Sequence, residues 1–194
     1  AYPFLITYKN KTQMACDISR GRLEACKDSV GGINAVYFVN KDNLGAITYD
    51  TTDTDVIESV AGTPDAYKFE VRGASTYTET PTSSRENGTT FFEQVLELQL
   101  PKLTKEDHQT VKLLAFGSPH VIIEDNNKNL LLAFLEYGGD ITGGSIATGA
   151  AMGDMSGYTL TFTGMEKIPA NFIASTGVPS VDLAAAGFTV VSGT

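Results

Sequence analysis

Alternation of apolar and polar residues with a period of two is the sequence feature that most restricts the fold of this chain. Within residues 92–100, leucines at every second position alternate with Glu97 and Gln99, and residues 158–163 repeat the pattern. Successive side chains of a strand point to opposite faces, whereas an amphipathic helix needs a period near 3.6. Both segments therefore predict β-strands with one face buried.

Six further segments favour strands through alternation or an excess of β-branched and aromatic residues. One segment instead predicts a helix: Thr104 can cap it, Glu106 and Asp107 suit its first turn, and 117–119 end it. We therefore predict a mainly β protein, an antiparallel β-sandwich or rolled barrel with one flanking helix. The six additional strands are predicted at 35–39, 44–49, 66–72, 74–80, 121–124 and 130–136.

Three polar segments separate these strands. Residues 81–88 end in Asn87-Gly88, which is typical of a hairpin tip, and the Asx-rich run 125–129 predicts a second hairpin. Residues 138–157 contain seven of the 19 glycines. That segment is either a flexible loop or a place where another backbone approaches closely.

Composition excludes several functions. The formal net charge of −9 disfavours binding to nucleic acid or to an anionic membrane surface, since both need surplus Lys and Arg. No apolar run has the ~20 residues of a membrane helix. Two cysteines, Cys16 and Cys26, predict reduced structural thiols and not a disulfide framework.

The sequence also lacks a recognisable catalytic constellation. We interpret His108 as a solvated helix residue and His120 as a core or edge histidine. Neither lies near enough Cys or carboxylate ligands in the sequence to predict zinc. We therefore expect no enzyme activity, no metal and no cofactor, and a function performed by the surface.

The chain length favours a single β-rich domain over 1–194. Residues 1–14 are a candidate N-terminal extension, because Met14 followed by a small residue resembles a natural start. The alternative, that 1–13 form the first strand, stays open. The weakly patterned residues 174–194 are predicted to be a C-terminal extension.

An ordered set of short blocks resembles the tail tube proteins of tailed bacteriophages. The blocks are 83–94, followed by the amphipathic strand and the helix, then 121–127, the Gly-rich segment and 157–166. The resemblance covers roughly residues 15–175. One departure is Lys128, which stands where glycine would suit the tight turn.

This resemblance implies a rolled β-sandwich that forms rings of about six copies, stacked into a hollow tube for DNA. An extended hairpin and the terminal segments would make contacts between rings, and other phage tail proteins would be partners. A negatively charged lumen would let DNA slide without binding. Segments 77–90 and 138–157 are candidate contacts between subunits, with Tyr77, Thr82, Arg85, Glu86, Asn87, Gly143, Gly144 and Met152 as the candidate residues.

Two other functions remain open. The first is another virion component, such as a capsid decoration or head-fibre protein. The second is a carbohydrate-binding β-sandwich, which would need aromatic side chains gathered on one face. The chain has no Trp, and its Tyr and Phe residues mostly occupy alternating positions that predict a core.

Overall fold

The computed structural model describes residue 18 and residues 20–71 and 74–193, which form a β-sandwich. Within them lie twelve strands and two α-helices, so the mainly β fold class is confirmed. The prediction of a single helix is wrong, because Pro179–Ala185 form a second one. The proposed start at Met14 lies outside the described residues.

The larger sheet has eight strands. They are β1 (Ile33–Val39), β2 (Ile47–Tyr49), β3 (Val56–Val60), β4 (Asp65–Glu70), β7 (His120–Asp125), β8 (Leu130–Ala133), β11 (Asn171–Ile173) and β12 (Thr189–Ser192). Their order across the sheet is β12-β4-β1-β7-β8-β11-β3-β2. The pairs β11–β3 and β12–β4 are parallel, so this sheet is mixed and not antiparallel as predicted.

The smaller sheet has four strands and is antiparallel throughout. It consists of β5 (Thr76–Ser84), β6 (Thr89–Pro101), β9 (Asp140–Ala147) and β10 (Gly157–Glu166). The strand order β5-β6-β10-β9 leaves β5 and β9 at its edges. The two strands with the clearest alternation in the sequence, β6 and β10, lie at its centre.

The main core lies between the two sheets. Val36, Phe38 and Ile123 of the larger sheet face Leu98 and Phe162 of the smaller one, and all five are almost fully buried. The rings of Phe38 and Phe162 have centroids 5.3 Å apart. Each such side chain contributes about 1.5–3 kcal/mol of transfer free energy.

A second core covers the opposite face of the larger sheet. Tyr37 and Leu132 from the sheet centre pack in one cluster with Ile57, Leu183 and Phe188. Because Ile57 belongs to β3 and Phe188 directly precedes β12, the sheet must curl to bring its two ends together. The predicted C-terminal extension, 174–194, is therefore built into the fold from the second helix onward.

The predicted helix is confirmed as α1, Lys105–Phe116. The Thr104 side chain accepts a hydrogen bond from the Asp107 N–H at 3.1 Å, and Gly117 ends the helix. Val111 is buried against the main core, while most of the helix surface stays exposed. The helix α2, Pro179–Ala185, begins with proline at its first turn and supplies Leu183 to the second core.

A sharp bend at Phe134 ends β8 before the predicted limit of 136. Phe134 is fully buried and has a left-handed φ of 56°, which is rare for a bulky residue. Two side chains hold this backbone: Gln94 Oε1 accepts the Phe134 N–H at 2.7 Å, and His120 Nδ1 donates to the Phe134 carbonyl at 2.7 Å. His120 is thus a core histidine, one of the two readings the sequence left open.

Candidate assembly surface

The β5–β6 hairpin extends beyond the rest of its sheet. β10 ends at Glu166, which is paired with Phe92, but β6 continues to pair with β5 as far as Ser84 and Thr89. Three more residue pairs and the turn 85–88 therefore project from the sandwich, roughly 10 Å for the paired part at the rise of a strand. Gly88 has a φ of 62°, which glycine adopts without strain.

The projecting end of the hairpin is polar and open to solvent. Ser83 and Thr90 join their hydroxyls across the strands at 3.1 Å, and Ser84 Oγ accepts the Asn87 N–H at 3.3 Å. These bonds stiffen the tip without covering its side chains. Four of the predicted contact residues lie on it, all exposed: Thr82, Arg85, Glu86 and Asn87.

Tyr77 differs from the other candidates because its side chain faces the interior. It packs on the main core, and its hydroxyl donates to Glu79 Oε1 at 2.5 Å. Burial, followed by this hydrogen bond, raises the pKa of Tyr77. Glu79 Oε1 also accepts the Ala170 N–H at 2.9 Å, so the two residues fix the root of the hairpin. No local pattern in the sequence indicated this role for Glu79.

The opposite edge of the sheet contains Gly143 and Gly144 on β9, both exposed. Gly144 has a φ of 146°, and a Cβ there would lie 2.3 Å from the Thr159 carbonyl oxygen. The β9–β10 pairing has a bulge in this region. Of the two interpretations of 138–157, close approach of another backbone is therefore the correct one for 140–147.

The loop 148–156 joins β9 to β10 and presents Met152, which is fully exposed. Asp154 shapes the loop, because its Oδ2 accepts the N–H groups of Ala151 at 2.7 Å and Ala150 at 2.9 Å. These bonds lower the pKa of Asp154. The loop is thus a defined turn that carries an apolar side chain at its surface.

The predicted contact residues form two separate groups. The hairpin tip extends from the β5 edge, at the end of the sheet where β10 finishes with Glu166. The loop 148–156 lies at the β9 edge and at the other end, where Gly157 pairs with Pro101. The two groups therefore occupy diagonally opposite corners of one four-stranded sheet.

The outward face of this sheet carries hydroxyl groups and carboxylates. Thr76 and Thr161 flank Glu97 in one row across the strands, and Thr80 is paired with Glu93 in another. The four strands contain no Lys, Arg or His. The carboxylates of these rows are those of Glu93 and Glu97; of the other three in the strands, Glu166 is buried, Glu79 accepts from the inward-facing Tyr77 and Asp140 accepts from Ser118.

In the part of the chain that the structure describes, the metal-ligating and titratable side chains do not gather into a single site. Within it, no three His, Cys, Asp or Glu residues converge on a metal position. His108 is exposed on α1, consistent with a solvated residue. Cys26 is free but exposed, so its expected role as a structural thiol is wrong. Neither described helix is long and apolar enough to cross a membrane.

Comparison with known proteins gives no match, either to a family model, to a curated protein or to a solved structure.

Proposed function

We propose that this chain is a non-enzymatic structural subunit of a phage tail tube that assembles with itself into stacked rings in the virion. The observation that carries the proposal is the placement of the hairpin tip and the loop 148–156 at opposite corners of one sheet. A contact that propagates head to tail needs two different surfaces on each subunit. A ring closes when such contacts return to the first copy.

The two edge strands give the ring contact a physical basis. Among the described strands, β5 and β9 each present one unpaired row of backbone groups. Neither contains a lysine, and their only edge-protecting features are Pro81 in β5, which lacks an N–H, and the bulge between β9 and β10. Pairing of β5 with β9 of the next copy would continue the sheet around the ring. The projecting hairpin would then reach the adjacent ring.

The outward face of the four-stranded sheet would line the lumen in such a ring. On this face Glu97 lies between Thr76 and Thr161, and Glu93 lies between Thr80 and Met165. The four strands carry no cation. Repulsion of phosphate by this surface would keep the passing DNA from binding. The same surface is poorly suited to carbohydrate, because Phe91 is the one aromatic residue that alternation places on it within the four strands.

Negative-stain electron microscopy of the purified protein over a concentration series tests the proposal. We expect rings or hollow tubes of uniform width. Monodisperse subunits at every concentration, together with binding to a capsid lattice, would favour the decoration or head-fibre protein instead. On this proposal the subunits are made in the host cytoplasm and are incorporated into virions there.

Hydrogen exchange of the assembled protein tests the edge pairing separately. We expect amides of β5 and β9 to gain protection on assembly. The hairpin β7–β8 provides a matched control, because it is paired on both sides within the subunit and should not change. Tubes in which β5 and β9 exchange as fast as in the free subunit would show that another surface forms the ring.

A further inference from the structure

Residues 20–32, directly before β1, form an arm that the rest of the described subunit does not cover. Every residue from 20 to 32 is exposed, and Ile18 and Leu23 are 94% and 92% exposed. Two exposed aliphatic side chains on one short segment need a partner to leave water.

The arm is nevertheless fixed at its root. Asn127 bonds to Val30 twice: its Oδ1 accepts the Val30 N–H at 2.9 Å, and its Nδ2 donates to the Val30 carbonyl at 2.7 Å. Asn126 Nδ2 donates to the Gly31 carbonyl at 2.8 Å. The β7–β8 turn therefore sets the point from which the arm leaves the sandwich.

An open cleft lies between α1 and the β12 end of the larger sheet. We call it the α1 cleft; it has a volume of about 550 Å³, and Tyr67, Phe69 and Val191 form its apolar floor. It shares Tyr67, Phe69 and Thr110 with an adjoining hollow of about 640 Å³ that continues along α1 to Leu113. Together the two hollows are lined by α1 residues from Glu106 to Leu114.

The α1 cleft also offers backbone hydrogen bonds. β12 is an edge strand that pairs only with β4 among the described strands, and its residues Val191 and Ser192 line the cleft. An extended segment could pair with this free edge and place every second side chain in the cleft.

Charge favours the arm as the occupant. Arg20 and Arg22 are its first two described charges, whereas Glu106 and Asp107 of α1 lie at the rim of the cleft. The one lysine lining the cleft, Lys68, is already paired with Glu70 at 3.3 Å. In an extended arm, Ile18, Arg20, Arg22 and Glu24 share one face and Leu23 lies on the other, so the first face would present an apolar group and a net charge of one cation.

We propose that arm residues 18 and 20–24 of one copy occupy the α1 cleft of a neighbouring copy. The inference rests on the proposed function, which brings a second copy close. The arm leaves its own cleft open in the structure, since Ile18 and Leu23 are almost completely exposed. Docking into a neighbour with this face inward would bury Ile18 and pair the arm arginines with the acidic rim.

Photo-crosslinking of the full chain tests where the arm lies. A benzoylphenylalanine at position 18, on the face that would enter the cleft, is introduced into unlabelled protein, which is mixed with ¹⁵N-labelled protein before assembly. We expect crosslinks between differently labelled chains, to peptides that contain 65–70, 105–116 or 189–192. Crosslinks within one chain only, or to other surfaces only, would overturn the proposal.

Charge reversal tests the recognition. Arg20→Glu with Arg22→Glu, and separately Glu106→Lys with Asp107→Lys, should each reduce the yield of the interchain crosslink by roughly tenfold. Combining all four substitutions should restore it. Lys112→Glu, on the exposed surface of α1, is the control for changed net charge. Failure of the combination to restore the crosslink would contradict the pairing.

These readouts separate the two proposals. Uniform tubes without a crosslink to the cleft would remove the arm proposal and leave the tail tube intact. Interchain crosslinks to the cleft in a protein that never forms rings would support the arm proposal and contradict the tail tube.

Discussion

The two sheets of the sandwich are covered very differently. The larger sheet is buried on both faces, by the smaller sheet on one side and by the second core with α2 on the other. The smaller sheet is covered on its inner face only. Its outer face, both its edges and its long hairpin are open. The difference separates the part that determines stability from the part that is free for assembly.

This contrast follows from the residues of the strands. β7 is apolar at consecutive positions, as expected of a strand with two buried faces, whereas β6 alternates. Substitutions in the larger sheet should therefore change the free energy of unfolding, and substitutions on the open parts of the smaller sheet should change assembly. The following experiments test that separation.

Deletion of Thr82 to Gly88 should have the largest effect, complete loss of tubes from a folded subunit. The deletion joins Pro81 to Thr89, and residues 89–91 can close the shortened hairpin because Pro81 is paired with Phe92. Circular dichroism and thermal unfolding should match the full chain, while electron microscopy shows no tubes. Full-length tubes from the deleted protein would contradict this role of the hairpin.

Leu132→Ala should be strongly destabilising, because Leu132 is fully buried in the second core. We expect a loss of about 2–5 kcal/mol in the free energy of unfolding, from lost burial and the cavity left behind. Thr161→Ala, on the outer face of the smaller sheet, is the matched control and should stay within ~0.5 kcal/mol. Equal losses in denaturant titrations would show that the two sheets are not distinct in this way.

Thr104→Ala should cost about 1 kcal/mol, because it removes the side-chain cap of α1. Thr110→Ala within the same helix is the control: it removes only a bond to the Glu106 carbonyl and improves helix propensity. Chemical denaturation of both variants provides the comparison. A loss at position 110 as large as that at 104 would mean that the cap is not the cause.

Local patterns in the sequence predicted eight of the twelve described strands, both strands with one wet face such as β6 and strands with two buried faces such as β7. β6 and β10 were recognised because their alternation reports the inner and outer faces directly. β3, β9, β11 and β12 were not, for reasons visible in each: β11 is only three residues long, and β9 is built around Gly143-Gly144 and lacks alternation. The second helix was missed because seven residues hold too few turns to show a period.

The contact residues of the candidate surface were likewise predicted only where the signal in the sequence is local. The turn signal of Asn87-Gly88 is local, so the hairpin tip and its exposed residues were predicted. The inward orientation of Tyr77 depends on its register opposite Leu96, and the diagonal placement of the two contact groups depends on pairing between β6 and β10. These long-range pairings leave no trace in a segment of sequence read by itself.

Two buried carboxylates provide a comparison by pH. Burial raises the pKa of Glu166 above its ordinary 4.5, although N–H groups such as that of Tyr137 partly oppose it. Burial acts in the same direction on Asp182, but hydrogen bonds from Thr176 and Ser175 lower its pKa below the ordinary 3.8. Glu166 therefore favours folding most at low pH, and Asp182 favours it above 3.8.

We expect the smallest effect from Glu166→Gln, which should make the free energy of unfolding depend less on pH above 4.5. In the unchanged protein, the contribution of Glu166 is lost as the pH rises from 4.5 through its raised pKa. In that range the unfolded state has already released its proton while the folded state still holds one, so each further rise in pH favours unfolding. The variant should not show that loss when the free energy of unfolding is measured from about pH 4 to 8. Asp182→Asn, the control, should lower the free energy of unfolding above pH 3.8 and change the slope of the profile only on the acid side. If the free energy of unfolding of Glu166→Gln instead fell more steeply above pH 4.5 than that of the unchanged protein, the contribution of Glu166 would have the opposite sign. Burial would then not be the dominant cause of its pKa shift.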